Sequence, residues 1–134
     1  MHEIRCYVAT ALLDGCLYAC GGHNSDERVS TCEKYIIKQD LWMRIASMNV
    51  VRSDSSATVY KGKIYVAGGV NHENVENSVE VYDPQRDQWT LIEQMATARS
   101  GFVLISYHDH LLAIGGSSAF GERWTSLYKP FLTS

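Results

Sequence analysis

The chain repeats itself every 47 residues. Glycine pairs mark the step at Gly21-Gly22, Gly68-Gly69 and Gly115-Gly116. Other residues keep it without an insertion: Arg5, Arg52 and Arg99; Glu33 and Glu80; Tyr35 and Tyr82; Trp42 and Trp89; Met48 and Met95. Repeats of this kind bury their apolar faces against one another, because one unit is too small to do so alone. The period therefore predicts stacked copies of one supersecondary unit.

Local patterning decides which unit is repeated. Helical HEAT and armadillo repeats have a similar length, but here the apolar runs are short, rich in Val, Ile, Tyr and Trp, and separated by turn residues. In the second repeat the predicted strands are 56–60, 63–67, 78–82 and 88–92. Tight hairpins are predicted at Asp14-Gly15, Lys61-Gly62 and His108-Asp109. Four short antiparallel strands per repeat are typical of a propeller blade.

The glycine pairs are predicted to serve the scaffold rather than a ligand. Each pair follows the second strand of its repeat, where glycine permits a sharp exit and a close approach of backbone. A phosphate-binding loop needs Gly-Lys-Ser/Thr and a following helix, and no repeat has that pattern.

Composition limits the class of protein. The 134 residues are 46% apolar and 20% charged, which is typical of a globular protein with a core. A formal charge of -3 argues against nucleic acid as a partner, and no apolar run approaches the ~20 residues that span a bilayer. Residues 5–15 align with 52–62, which favours a repeat over a signal peptide. The four cysteines lack zinc spacing, so we expect free thiols in the cytoplasm.

Sequence motifs then suggest a family. The second repeat contains YVAGG, VEVYDP, DQWTLIEQM and ATAR in that order. This order resembles the kelch repeat, and it is most similar to the propellers of kelch-like (BTB–BACK–kelch) proteins. The resemblance implies an all-β partial kelch β-propeller with about three four-stranded antiparallel blades, the last incomplete. Residues 1–134 divide into repeats at about 5–51, 52–98 and 99–134.

The chain also departs from that family. A kelch-like propeller usually closes with six blades, whereas here the third repeat keeps Tyr128, Lys129 and Pro130 one residue early and lacks the following Trp strand. Trp124 precedes Tyr128 and cannot take that place. We therefore expect a piece of a propeller with a blade face uncovered at each side.

No constellation of catalytic residues stands out. His108, Asp109 and His110 suggest a metal site, but they align with Lys61, Gly62 and Lys63 at a hairpin tip, which favours an exposed turn. Some kelch-fold proteins are copper oxidases, and the ligands for that chemistry are not identified here. We expect no cofactor and no enzymatic activity.

The resemblance also indicates a binding face. In kelch-like propellers, partner peptides lie across the loops after the glycine pairs and the arginine-containing starts of the innermost strands, which are expected to begin near Arg5, Arg52 and Arg99. The matching candidates are Arg5, Arg52, Ser53, Arg99, Ser100, His23, Ser25, His72 and Phe120. The arginines have two interpretations: they bind a partner, or they brace the blade. As binding groups, three guanidinium groups would favour an acidic segment of the partner.

The predicted function is a protein-interaction module resembling the substrate-recognition propeller of a cullin-3 ubiquitin ligase adaptor. In that family the cullin is engaged by BTB and BACK regions, which are absent from this chain. The alternative is a kelch protein that binds actin. A kelch-fold enzyme is the third hypothesis.

Overall fold

The computed structural model describes residues 1–118 and the backbone of strand 127–128. The first four-stranded sheet contains β1 (Ala9–Leu13), β2 (Cys16–Cys20), β3 (Cys32–Ile36) and β4 (Leu41–Ile45). The second contains β5 (Ser56–Tyr60), β6 (Lys63–Ala67), β7 (Val79–Asp83) and β8 (Gln88–Ile92). The third contains β9 (Val103–Tyr107), β10 (His110–Ile114) and β11 (Leu127–Tyr128). One 3-10 turn, Ile37–Gln39, joins β3 to β4.

Each sheet is an antiparallel meander in chain order, as predicted for a propeller blade. Two-residue hairpins join the first two strands of the blades, with Leu13 opposite Cys16 and Tyr60 opposite Lys63. The turn residues Lys61 and Gly62 have φ of 45° and 73°, the left-handed values that a type I′ turn needs. This turn fixes the register of the strands and matches their twist.

The core lies between the blades rather than within one of them. Strand β1 lies beside β5, and β5 lies beside β9. Between the first and second blades, Tyr18, Cys20 and Cys32 pack against Ile64 and Val66. The same arrangement recurs between the second and third blades. Blade-to-blade packing therefore supplies the burial that one sheet cannot provide.

The structure corrects two predicted boundaries. Strand β7 is Val79–Asp83, one residue later than predicted. The innermost strands begin at Ala9, Ser56 and Val103, four residues after the arginines rather than beside them. The reason is a residue with left-handed φ in between, Tyr7 (φ 55°) in the first blade, which cannot continue a strand.

Other features fall at the edge of what the structure describes. Strand β11 pairs with β10, whereas Trp124, Lys129 and Pro130 lie outside the described residues. No helix among residues 1–118 and 127–128 is long and apolar enough to cross a membrane.

Candidate functional site

The glycine pairs join each blade to the next one. The Gly22 N–H donates to Arg52 O at 2.7 Å, and the Gly69 N–H donates to Arg99 O at 2.9 Å. A Cβ on Gly69, whose φ is 94°, would lie 2.6 Å from Ser53 O, closer than any real side chain allows. The predicted scaffold role is confirmed in these contacts, because both the φ and the close approach require glycine.

The repeated arginines lie behind the loops that follow the glycines. The Arg52 Nη1 group donates to Gly68 O and Ser78 O, both at 2.9 Å, and its Nε and Nη2 groups donate to Glu80 Oε2 at 3.1 and 2.8 Å. The first blade repeats this arrangement. There Arg5 donates to Gly21 O at 2.9 Å and to Glu33 Oε2 at 3.2 Å.

Burial favours the bracing interpretation of these arginines. The side chains of Arg5 and Arg52 are fully buried, and Arg99 is also buried. Burial of Arg99 lowers its pKa. Their guanidinium groups donate to carbonyl oxygens at the ends of the second strands and so brace the blade. Ser53, another candidate, is buried and accepts a hydrogen bond from Arg28 Nε at 3.0 Å.

Two asparagines that the sequence analysis missed shape the loops after the glycines. The Asn24 side-chain oxygen accepts from the N–H groups of Asp26 and Glu27, both at 2.8 Å. In the second blade the Asn71 oxygen accepts from Glu73 N at 2.9 Å and closes the same turn. The signal was available, because Asn24 and Asn71 keep the 47-residue step.

A carboxylate holds each of these asparagines, but it comes from different positions in the two blades. In the first blade Glu3 accepts from Asn24 Nδ2 at 2.9 Å and from the Thr31 hydroxyl at 2.7 Å. The Asn24 bond is the main cause of the lowered pKa of Glu3. In the second blade Glu76 accepts from Asn71 Nδ2 and from the Ser78 hydroxyl. The loops of the two blades therefore share the same backbone turn, but different side chains surround it.

An open groove lies beside this loop in both blades. The first has a volume of about 620 Å³ and is lined by His2, Glu3, Ile4, Arg5, Cys6, His23, Asn24 and Ser25. The second has about 310 Å³ and is lined by Val50, Val51, Asn71, His72, Glu73 and Asn74. The two sets overlap after the 47-residue step, so the grooves are equivalent places on adjacent blades.

The structure brings some predicted partner residues to these grooves. Ser25 and His72 are exposed, and His23 is half-buried. Ser100 is half-buried and pairs through its backbone with Ser117 at 3.1 and 3.0 Å. Phe120 lies outside the described residues. Partner contact by these residues stays a prediction.

The suspected metal ligands lie elsewhere. His108 and Asp109 form the β9–β10 hairpin tip, and the Asp109 carboxylate accepts a hydrogen bond from the Tyr60 hydroxyl, which lowers its pKa. Within residues 1–118, no three His, Cys, Asp or Glu side chains form a group that could hold a metal ion. Asp109 thus connects two blades through its contact with Tyr60.

Comparison with known proteins supports the same architecture. The family model of the Kelch motif matches residues 4–49 and 52–96. The solved structure of YjhT superimposes with a TM-score of 0.85 at 20% sequence identity, covering 97% of this chain and 49% of that one. At this identity the likeness shows the fold alone.

Curated relatives match shorter stretches. Kelch repeat-containing protein kel-10 and a kelch repeat and BTB domain-containing protein, both of Caenorhabditis elegans, are each 36% identical over 61 residues, or 42% of this chain. The influenza virus NS1A-binding protein homolog of Xenopus laevis is 42% identical over 53 residues, or 40% of this chain. The matched stretches span only 8% to 11% of these relatives.

Proposed function

The chain belongs to the kelch-repeat family, and from this premise we propose that it is a protein-interaction module that holds a partner segment across the two grooves. The observation that carries the proposal is the equivalence of the grooves. Both lie between the segment before an innermost strand and the asparagine-centred loop, and both are open to solvent. A partner segment that follows the repeat would meet one groove after the other.

Variation within this constant frame supports recognition rather than scaffolding. Positions that recur in the blades, such as Arg52 and Glu80, are buried and bind backbone or each other. Positions that differ between blades, such as Ser25 and His72, are exposed at the grooves. A rigid scaffold with variable loop residues is a common basis of selective binding.

The finer proposal is that the propeller selects substrates for a cullin-3 ubiquitin ligase. One relative carries a BTB domain in its name, which is compatible with that role. On this proposal the target would bind the grooves, and a BTB–BACK region would engage the cullin. The cytoplasm is the proposed location, and the four free cysteines support it.

A capture experiment tests the interaction module. The 134-residue chain is used as bait in cell extract, beside a Ser25→Ala/His72→Ala variant that changes both grooves. A Lys61→Ala/Lys63→Ala variant is the matched control, because these exposed residues lie at the opposite end of the second blade. We expect proteins that the native and control chains retain and the groove variant loses. Equal capture by all three chains would contradict the proposal.

The same preparation separates the finer alternatives. Fused behind a BTB–BACK region, the chain should co-purify with cullin-3 and promote ubiquitin transfer to the captured protein in a groove-dependent manner. Recovery of actin as the groove-dependent protein, confirmed by co-sedimentation with purified filaments, would favour the cytoskeletal alternative instead.

A further inference from the structure

Equivalent residues of the three blades meet at one end of the innermost strands. Tyr7, Asp54 and Gly101 keep the 47-residue step and have φ of 55°, 55° and 61°. The Asp54 N–H donates to Tyr7 O at 3.1 Å, and the Gly101 N–H donates to Asp54 O at 3.0 Å. These bonds connect the blades in sequence. We call Tyr7, Asp54 and Gly101 the mouth residues.

The mouth positions require a left-handed backbone conformation but do not require a particular side chain. Left-handed φ is natural for glycine and tolerated by aspartate, but it is an outlier for a bulky aromatic residue. Gly101 shows that glycine serves the third blade at this position. Tyrosine in the first blade is therefore not needed by the bond that its carbonyl oxygen accepts. The residue is 64% exposed, so its side chain is not needed by the core either.

The polar groups of the Tyr7 and Asp54 side chains are also not used in polar contacts. Within the described part of the chain, the Tyr7 hydroxyl and the Asp54 carboxylate take part in no hydrogen bond or ion pair, unlike the carboxylates of Glu33 and Glu80. The arginines that stand two residues earlier are buried and bonded to the blade. Of the three mouth residues only Asp54 is charged; its carboxylate is negative and half-buried, and it follows Tyr7, which is exposed, in the chain of backbone bonds.

We propose that the mouth residues Tyr7 and Asp54 bind an arginine or lysine side chain of the partner. This inference rests on the proposed interaction function and names the chemistry of the segment bound. A cation is attracted both by the face of an aromatic ring and by a carboxylate, and an arginine can stack on the first while it bonds the second. The proposal is an alternative to the prediction of an acidic segment, which rested on guanidinium groups that the structure buries.

Two probes that differ only in the charged residue they contain provide the first test. They are fluorescein-labelled twelve-residue peptides of repeated serine, glycine and arginine, or of serine, glycine and glutamate. We expect fluorescence anisotropy to show binding of the arginine peptide only, with an affinity that falls as salt rises. Equal affinity for the two peptides, or preference for the glutamate peptide, would overturn the proposal.

Substitutions test whether the arginine peptide binds at the mouth residues. Asp54→Asn should lower the affinity for the arginine peptide by about 5-fold or more, whereas Asp14→Asn should leave it unchanged. Asp14 is the matched control, since it is an exposed aspartate with φ of 49° at the opposite end of the first blade. Tyr7→Gly should also weaken binding of the arginine peptide, whereas Tyr7→Phe should retain the binding because the face of the ring remains. Unchanged affinity in Asp54→Asn would overturn the assignment.

Thermal melting separates recognition from scaffolding. Tyr7→Gly places at the first mouth position the residue that the third blade already has, so its melting temperature should equal or exceed that of the native chain. Weaker peptide binding with lower stability would mean that Tyr7 supports the fold and would overturn its role in recognition. If the arginine peptide fails while groove-dependent capture from extract persists, the interaction module stands and only this inference fails.

Discussion

Glu80 Oε2 lies 2.8 Å from Arg52 Nη2, and both side chains are fully buried. Arg52 belongs to the connection between blades, whereas Glu80 lies on β7, so the pair ties that connection to the sheet. The other carboxylate oxygen of Glu80 accepts from Asn49 N at 2.7 Å. All of the polar atoms of this pair are thereby satisfied inside the protein.

Removing one partner of this pair should destabilise the chain strongly. Glu80→Gln would leave the Arg52 guanidinium buried without its counter-charge, a change that typically costs about 3–5 kcal/mol. We expect a correspondingly lower free energy of unfolding in urea. Arg86→Ala is the control, because Arg86 is exposed and lies 3.9 Å from Asp83, and it should change stability by less than about 1 kcal/mol. Equal effects of the two substitutions would contradict this account.

The sequence predicted the strands well because local rules determine them. Strands 56–60, 63–67 and 88–92 are found where they were expected, and a two-residue turn at Lys61-Gly62 fixes the register of the first two. The role of the arginines was undecided because repetition alone does not separate bracing from binding. The repetition of Glu33 and Glu80 with the same step was the available signal that the arginines have partners within the blade.

Two features of the candidate site were beyond sequence reasoning. The carboxylate that holds the loop asparagine is Glu3 in one blade and Glu76 in the next, and these residues do not align after a 47-residue step. The same contact is therefore formed in both blades, although aligning the repeats does not reveal it. The mouth residues share a φ and a backbone bond but no side-chain chemistry, so their identities carry no repeated signal.

The two strand-four tryptophans should differ in their contribution to stability. Both are half-buried and pack on a tyrosine, with ring centroids 5.2 Å apart for Trp42 and 4.9 Å for Trp89. Only Trp89 has a blade before it in the described chain, and its indole N–H donates to Ala46 O at 2.8 Å. Trp89→Phe should therefore destabilise by about 1 kcal/mol more than Trp42→Phe in urea unfolding. Equal losses would show that the bond between blades contributes nothing.

Stability should fall in acid partly through Asp87. Its carboxylate accepts from Ala46 N at 2.9 Å and from the Tyr82 hydroxyl at 2.7 Å, and these bonds hold its pKa below the usual value. A lowered folded-state pKa gives stability that is present above the unfolded-state pKa of about 3.9 and lost as pH falls through the folded-state pKa. Asp87→Asn should lower the melting temperature at pH 7, and the difference from the native chain should shrink towards pH 2. A difference independent of pH would contradict the assignment.

The isolated 134-residue chain should associate through its outer blade faces. Ile105 on β9 is 38% exposed, whereas Ala11, at the equivalent place on β1, is 9% exposed because the second blade covers it. On the other outer face Leu17 is exposed, although its equivalent on β6, Ile64, is fully buried against the first blade. Leu12 is exposed as well, whereas its equivalent on β5, Val59, is half-buried in the same cluster. The two outer faces are therefore of the kinds that pack together inside the chain.

Sedimentation velocity at micromolar concentration should detect this association as species larger than a monomer. Ile105→Lys should shift the distribution towards monomer without lowering the melting temperature, because it places a charge on a face that packs blade to blade. Ile37→Lys is the matched control, since Ile37 is 52% exposed on the 3-10 turn, away from both faces, and it should leave the association unchanged. A native chain that sediments as a monomer would contradict the prediction. Equal effects of the two lysines would instead assign the association to another surface.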